Sequence, residues 1–457
     1  MAIAVSLTLW TALSVQAFAV ILTRSGIGQN WLRRPFSLLV LAAVTYNGIS
    51  EVLLAIPSIR VWDIYRQGTE QHYIDDAVLY MSIGLLVMVA CYLATGPRRA
   101  VAIARSNDVW TAARILDWRL LAIACAPLAV LTYEGRGYNN SFAPGTSTTA
   151  TALAATFLIV LVSLATFGFL LRHGMRWFVL ALAVQSIVLA GAGERLPLIA
   201  GAVALLILLA NVGLRPSRRQ VSVTVALTVL AVLGITGYRA GHGRTLYYQN
   251  SGINARIAAA GSGLYALVHT SDPTHANPGL IAQAAIRFDG NAFAGGVIQG
   301  MREGDPTLGA APLAGSAFIV VPSIIWPSKL SHSADLNPGA AEIEDFHLRE
   351  INYLPTFLGL DVGLVGPYWT VVLLAAIGAL CGWGERWLFR SISSVRLVVL
   401  AAAVQASMSY EKGLPGMLVA LRTAVVLAAA VWLTWTIQVR FDRRVHINAG
   451  NRVMVEP

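Results

Sequence analysis

Long apolar segments separated by short polar loops make up most of this chain. An apolar run of roughly 17 to 25 residues is long enough to cross about 30 Å of hydrocarbon as a helix. By this measure the pattern predicts an all-α polytopic membrane protein with about eleven spans. The predicted spans are Ala4–Thr23, Phe36–Ile56, Val78–Thr95, Leu120–Thr132, Ala150–Leu171, Trp177–Gly191, Leu196–Val212, Val221–Tyr238, Gly363–Trp383, Leu397–Ser409 and Met417–Val439. Because MAIAVSLTLW has no basic start, we expect the first span to be retained.

The longest break in the apolar pattern runs from Arg239 to about Tyr353 and divides the chain. It predicts four regions: eight spans in residues 1–238, a large loop with interfacial helices in 239–353, three spans in 354–439, and a basic tail in 440–457. The run LAGSAFIVVPSIIWP inside the loop is short and interrupted by Pro, so we expect it to lie at the membrane interface.

Composition and charge agree with this organisation. Apolar residues make up 56% and charged residues only 12% of the chain, which excludes an ordinary soluble domain. The net charge of +10 follows from basic loops on alternate sides of the predicted spans, so it indicates membrane orientation rather than nucleic-acid binding. The bias predicts an extracytoplasmic N-terminus and insert, and a cytoplasmic C-terminus. All three cysteines lie in apolar segments, which disfavours a disulfide framework.

Two segments of the insert carry candidate chemistry. The sequence from Asn337 to Tyr353 predicts a helix capped by Asn337, with His347 and Glu350 in its apolar stripe. The sequence PGLIAQAAIRFDGNAF predicts a second helix whose end carries Arg287 and Asp289.

Ionisable residues within apolar segments are functional-site hypotheses by default. Glu51 lies late in the second span, Arg195 opens the seventh, and Arg422 lies about one and a half turns into the eleventh. The predicted topology places all three near the outer face, beneath the insert.

Two stretches resemble a known family. GAGERLPLIAGAVALLILL resembles the corresponding segment of Wzy-type polysaccharide polymerases, and HLREINYLPTFLGLDVGLVG is similar to a junction found in O-antigen ligases and polymerases. The span count and the position of the large loop are also similar across most of the chain. The resemblance implies a fold of the GT-C glycosyltransferase type, no nucleotide sugar, no cofactor and no obligatory metal. It also implies transfer of a glycan from an undecaprenyl-pyrophosphate carrier to a sugar hydroxyl.

This chemistry gives the candidate residues their roles. Arginines near the outer face can neutralise a departing pyrophosphate, which makes Arg195, Arg422, Arg287 and Arg349 candidate substrate-binding residues. A hydroxyl acceptor needs a general base, for which the candidates are His347, Glu350 and Asp289.

Structural roles remain open for the same residues. Arg195 also suits an interfacial anchor, and Arg422 suits a buried ion pair with Glu51 or another acid. Arg287 with Asp289 suits a salt bridge at a helix end, and Glu350 suits a partner for His347. The acids of the first outer loop and a zinc site at His269 and His275 have weaker support.

Three functions are therefore compatible with the sequence. The leading prediction is a polymerase of lipid-linked oligosaccharide repeat units in the bacterial plasma membrane. Its expected partners are the lipid-linked oligosaccharide, membrane lipids, and a chain-length regulator and a flippase of the same pathway. The first alternative is an O-antigen ligase or another lipid-linked GT-C enzyme. The second is a transporter or flippase, although charges near the midplane and an internal repeat, which transporters usually show, are not evident.

Overall fold

The computed structural model describes the residues that carry the helical bundle and a small part of the insert. They are residues 6–28, 30–60, 66, 68–96, 117–134, 148–190, 195–214, 216–230, 261, 265, 285–286, 288–307, 309, 321, 326, 356–390, 393–414, 417–418, 420–433 and 436.

The regular secondary structure of these residues is helical throughout. We number the helices α1 (Leu7–Ile27), α2 (Pro35–Leu54), α3 (Pro57–Arg60), α4 (Gln71–Thr95), α5 (Trp118–Glu134), α6 (Thr148–His173), α7 (Phe178–Ala190), α8 (Arg195–Asn211), α9 (218–230), α10 (Asn291–Glu303), α11 (Phe357–Leu388), α12 (Ser394–Met408) and α13 (Ala420–Leu433). Each of the eleven predicted apolar segments overlaps one of these helices.

The all-α prediction is confirmed for the described residues, among which four helices are long and apolar enough to cross a membrane. They are α1, α2, α4 and the part of α11 from Asp361 to Leu388. Large apolar side chains such as Trp10, Ile187 and Trp383 stand exposed on the outside of the bundle. An exposed apolar surface around a helical bundle is compatible with a lipid environment, where helices satisfy their own backbone hydrogen bonds.

The helices pack in two groups around separate apolar cores. Helix α4 lies at the centre of the first group, with α1, α10 and α11 against it. Helices α6, α7, α8 and α12 form the second group. Helix α2 packs against α12 and so joins the two groups.

Glycines set the close approach of α4 and α11. A Cβ added at Gly378 would lie 2.1 Å from the carbonyl oxygen of Met88, and one at Gly382 would lie 2.7 Å from that of Tyr92. Small residues allow helices in lipid to approach at backbone distance and gain dispersion contacts.

Two spanning helices are irregular near the same end of the bundle. Helix α2 contains a π-helical turn at Thr45–Ile49. Helix α11 is broken at Gly366, whose φ of 78° is left-handed, and Pro367 follows. The hydroxyl oxygen of Thr370 lies 2.8 Å from the carbonyl oxygen of Gly366, which partly compensates for the break. Irregular turns of this kind often accompany functional sites.

The insert differs from the prediction where the structure describes it. Of the helix predicted to end around Asp289, the structure describes Ala285 and Ile286 as helical. Asp289 itself lies outside any helix. A further helix, α10, begins at Asn291 and packs into the core against α4. Its sequence NAFAGGVIQGMRE is rich in glycine, a poor helix former, so propensity did not indicate it. The predicted helix of Pro338–Tyr353 lies outside the described residues.

Candidate functional site

Arg66 is the centre of a buried ionic group at the junction of the insert and the bundle. Its Nε donates to Asp289 Oδ2 at 2.9 Å, and its Nη2 lies 3.2 Å from Asp289 Oδ1. On the other side, its Nη1 and Nη2 donate to the two carboxylate oxygens of Glu51 at 2.9 and 2.5 Å. The guanidinium therefore binds two carboxylates in bidentate fashion, the geometry that arginine supplies and lysine does not.

Asn291 completes this group, which we call the Arg66 cluster (Glu51, Arg66, Asp289 and Asn291). Its side-chain Nδ2 donates to Glu51 Oε2 at 3.0 Å and to the carbonyl oxygen of Asn47 at 3.1 Å. Because both acceptors can only accept, the orientation of the Asn291 amide is fixed. The insert is thus tied to the end of α2 through both Asp289 and Asn291.

Asp289 also begins α10. Its Oδ1 accepts hydrogen bonds from the backbone N–H groups of Asn291 at 3.0 Å and Ala292 at 3.3 Å. These donors have no partner within the helix, so a carboxylate before its first turn satisfies them and complements the helix dipole. The Asp289 side chain therefore accepts hydrogen bonds both from the first turn of α10 and from Arg66.

The charge of Arg66 is stable despite its burial. Burial alone lowers the pKa of the guanidinium, but the charges of Asp289 and Glu51 outweigh this effect and raise the pKa well above its usual value. The side chain is 6% exposed, so water screens these interactions little. The cluster is a permanent ionic link rather than a proton-transfer site.

A second polar group adjoins the first, and we call it the Tyr410 cluster (Asn47, Thr356, Asp361 and Tyr410). Asn47 Nδ2 donates to the Tyr410 hydroxyl at 2.6 Å. Thr356 also hydrogen-bonds this hydroxyl, and Asp361 acts on it electrostatically. Burial raises the pKa of the Tyr410 hydroxyl, so it stays protonated even at a pH at which an exposed tyrosine ionises.

The two clusters share backbone neighbours. A Cβ added at Gly290 would lie 2.2 Å from Thr356 Cγ2, so the segment before α10 is in close contact with the start of α11. The π-helical turn of α2 supplies Asn47 to the Tyr410 cluster. The adjacent residue of this turn, Tyr46, donates from its hydroxyl to Glu411 Oε2 at 2.9 Å. Elements far apart in sequence thus converge on one polar centre.

Asp361 is the least compensated acid in the part of the chain that the structure describes. It is fully buried, and neither carboxylate oxygen accepts a hydrogen bond. A buried acid of this kind in an apolar helix is costly and marks a site by default.

A separate polar group lies at the opposite end of α2. Glu385 accepts hydrogen bonds from the backbone N–H of Phe36 at 2.8 Å and from the Tyr92 hydroxyl at 2.6 Å, and Arg34 Nη1 lies 3.6 Å from it. The rings of Phe36 and Tyr92 stack at 3.7 Å between centroids. A helix of 20 residues is about 30 Å long, so the two polar ends are separated by about the thickness of the hydrocarbon layer.

The structure describes only part of the predicted site. Arg422 is buried, with 7% of its surface exposed, and lies near the start of α13. Arg195 is the first residue of α8, and its side chain lies outside the described part of the chain. The remaining candidates, Arg287, His347, Arg349 and Glu350, also lie outside it.

Sequence reasoning selected Glu51 and Asp289 but paired neither with Arg66. From the sequence alone, Glu51 suits a partner for Arg422, and Asp289 suits a partner for Arg287. In the structure both acids bind Arg66, from a loop whose other arginine, Arg60, is exposed. The sequence feature that could have indicated this pairing is the position of Glu51 and Asp289 beside apolar segments. Two carboxylates buried together require a buried cation.

The polar residues at the site are not arranged as a transition-metal centre. Among the described residues, no three His, Cys, Asp or Glu side chains come together in a way that could hold a metal ion. The two clusters instead offer carboxylates, amides and a tyrosine hydroxyl.

Comparisons of the chain with family models, with curated proteins and with solved structures returned no match.

Proposed function

We propose that this protein polymerises undecaprenyl-pyrophosphate-linked oligosaccharide repeat units at the outer face of the plasma membrane. The observation that carries the proposal is the buried polar centre at the junction of the insert and the bundle. It lies at the end of α2 opposite Arg34, and the basic loops next to Arg34 predict that end to be cytoplasmic. Lipid-linked glycans displayed outside the cell would meet the protein on this side of the membrane, where the buried centre holds the insert in place.

The proposed reaction joins two lipid-linked units. The acceptor hydroxyl oxygen bonds to the anomeric carbon of the donor, and the bond from that carbon to the pyrophosphate oxygen breaks. The acceptor proton passes to a base, for which His347 and Glu350 remain the candidates. Undecaprenyl pyrophosphate leaves with the bonding electrons, and arginines stabilise its charge.

The arginines divide into two roles in this proposal. Arg66 is held between two carboxylates, so it positions the insert rather than binding a pyrophosphate. Arg422 is buried on an apolar helix, where an arginine is rare without a functional or structural reason. We assign it with Arg195, Arg287 and Arg349 to the pyrophosphate.

The role of Asp289 is better explained as positioning than as catalysis. Its Oδ1 accepts from two backbone N–H groups and lies near Arg66, and its Oδ2 accepts from Arg66. A carboxylate held by this many donors is a weak proton acceptor. The predicted base role of Asp289 therefore passes to His347 or Glu350.

Deletion of the gene, followed by gel analysis of surface glycan, tests this proposal. A polymerase deletion leaves single repeat units attached and removes the long polymer. Loss of all attached glycan would assign the protein to the ligases. An unchanged glycan profile would reject both activities.

One observation favours a transporter as the second candidate. The buried Asp361 lies five residues before the break in α11 at Gly366, and α2 contains a π-helical turn. Transporters commonly bind ions where spanning helices are interrupted. Solute uptake that is lost on deletion, with an unchanged surface glycan, would support transport.

A further inference from the structure

A groove lies on the outside of the bundle, between the last turn of α4 and the second half of α11. It has a volume of about 390 Å³, within the range of small-molecule sites, and is lined by Ala94, Thr95, Ala379, Leu380, Trp383 and Arg386. Leu380 and Trp383 are 63% and 69% exposed, so the groove is open to the outside of the bundle. Its floor is fixed, because the Thr95 hydroxyl lies 3.0 Å from the carbonyl oxygen of Ala379.

The lining of the groove changes from apolar to basic along one face of α11. Ala379, Trp383 and Arg386 follow one another at steps of four and three residues, the spacing of side chains on one helix face. At 1.5 Å per residue, the helix rises about 10 Å from Ala379 to Arg386. Tryptophan is enriched at the level where the hydrocarbon of a membrane meets the lipid headgroups. The order along this face therefore matches that of a phospholipid, in which acyl chain, ester region and phosphate follow one another.

Arg386 brings a positive charge to the basic end of the groove. Its Nη2 donates to the carbonyl oxygen of Gly96 at 3.0 Å, which holds the guanidinium at the end of α4. Among the described residues, no carboxylate lies within ion-pair distance of it. The neighbouring acid, Glu385, is buried and instead accepts hydrogen bonds from Phe36 and Tyr92. A guanidinium has five N–H donors in a planar fork that fits a phosphate, and the bond to Gly96 uses only one of them.

We propose that this groove binds an anionic phospholipid, with its phosphate on Arg386 and an acyl chain along Ala379 and Leu380. Arg386 follows Glu385, which lies at the Arg34 end of α2, and the basic loops predict that end to be cytoplasmic. The cytoplasmic leaflet carries the anionic lipids that attract basic residues near the membrane surface. The sequence directly after α4, GPRRA, contains two more arginines. The charge of the groove and of its surroundings is therefore complementary to an anionic headgroup.

Other sources of a phosphate match the groove less well. Inorganic phosphate would bind Arg386 and leave the apolar part of the groove uncovered, so it gains no stabilisation from buried apolar surface. A zwitterionic phospholipid covers the apolar part, but it carries a cationic group beside its phosphate, which offsets the attraction of Arg386. An anionic phospholipid uses both parts.

Lipid retention by the purified full-length protein tests the site. The protein in an uncharged detergent is titrated with phosphatidylglycerol or phosphatidylcholine of the same chain length, and native mass spectrometry counts the lipids that stay bound. We expect one phosphatidylglycerol per chain to bind about tenfold more tightly than phosphatidylcholine, because only its headgroup is anionic. Inorganic phosphate at the same concentration is expected not to displace it.

Two pairs of variants locate the effect. Arg386→Gln removes the charge and is expected to weaken phosphatidylglycerol binding about tenfold, to the level of phosphatidylcholine. Its control, Arg176→Gln, removes an exposed arginine from the turn between α6 and α7 and keeps the wild-type affinity. Ala94→Leu fills the groove from an exposed position without a change of charge and is expected to weaken the binding of both lipids. Its control, Ala376→Leu, adds the same volume at an exposed position of α11 outside the groove.

Three results would overturn the proposal. They are equal retention of the two lipids by the wild type, an unchanged phosphatidylglycerol affinity in Arg386→Gln, and displacement of the lipid by inorganic phosphate. A protein dimer that is lost in Ala94→Leu would instead assign the groove to a second copy of the chain. If Arg386→Gln does not fold, the comparison of Ala94→Leu with Ala376→Leu decides, because equal affinities exclude the groove. None of these measurements depends on glycan polymerisation.

Discussion

At the scale of single residues, the protein depends on buried charges that compensate one another over long sequence separations. Arg66 is 15 residues from Glu51 and 223 residues from Asp289. Removing one member of a buried ionic group leaves the other charges buried without a partner. The resulting loss in the free energy of unfolding is larger than the net contribution of the complete group.

Arg66→Met is therefore expected to destabilise the protein by about 3–5 kcal/mol. The change leaves Glu51 and Asp289 facing each other in a buried environment. Thermal melting in detergent measures the loss, and Arg60→Met, at an exposed arginine that hydrogen-bonds Gln71, is the control with little effect.

Neutralising the two acids distinguishes charge from packing. Adding Glu51→Gln and Asp289→Asn to Arg66→Met is expected to recover part of the lost stability. No recovery in this triple variant would contradict the electrostatic account of the cluster.

The polar group at the opposite end gives an independent residue-scale prediction. Tyr92→Phe removes the hydrogen bond from the Tyr92 hydroxyl to Glu385 and is expected to cost about 1–3 kcal/mol, since the acceptor is buried. The control is Tyr73→Phe on the same helix, where no side-chain hydrogen bond occurs among the described residues. Equal melting temperatures for the two variants would argue against this role.

The sequence predicted the residue-scale chemistry only in part. Glu51 stood out because it is a lone acid at the end of an apolar segment. Arg66 did not, because its neighbours in IRVWDIYRQGTEQHYIDD are polar and nothing local separates a buried arginine from an exposed one. Asp361 is also a lone acid beside an apolar segment, but the glycines around it in GLDVGLVG are equally typical of a turn before a span.

At the scale of helices, apolar periodicity predicted the existence of the long elements and missed their irregularities. Helix α11 begins at Phe357, six residues before the predicted span at Gly363, and it is broken at Gly366. Helix α10 was missed because its glycines, which lower helix propensity, serve close packing. A Cβ at Gly295 would lie 3.0 Å from Ile74 Cα.

The close contact of α4 and α11 gives an element-scale prediction. Gly378→Ala places a methyl group against the carbonyl of Met88 and is expected to cost about 1–3 kcal/mol through forced separation of the helices. Gly384→Ala on the same helix meets no neighbouring atom and is expected to be neutral or slightly stabilising. Thermal melting compares the two, and an equal effect would contradict backbone contact as the reason for Gly378.

At the scale of the whole molecule, the two polar ends of α2 and the charge bias predict one orientation. In this predicted orientation the Arg34 end of α2 faces the cytoplasm, and the Arg66 end faces outward with the insert. Composition and the distribution of charge were sufficient to predict this orientation. The proximity of Asn47, Asp289 and Tyr410 could not be predicted, because it depends on tertiary contacts that no sequence pattern specifies.

Cysteine labelling tests the orientation in intact cells. In a variant whose three native cysteines are alanine, Thr274→Cys in the insert is expected to react with a membrane-impermeant maleimide. Asn451→Cys in the tail is expected to react only after the cells are permeabilised. The reverse pattern would place the polar centre in the cytoplasm and remove the basis of the proposed function.

The central claim is that the intact protein lengthens lipid-linked glycans, and reconstitution measures this directly. The purified chain in liposomes is supplied with undecaprenyl-pyrophosphate-linked units isolated from the deletion strain, and the products are separated by length. We expect a ladder that grows by one repeat unit with release of undecaprenyl pyrophosphate. The ladder should disappear in Arg422→Ala and persist in the control Arg390→Ala. Unchanged units after incubation with folded wild-type protein would contradict the account.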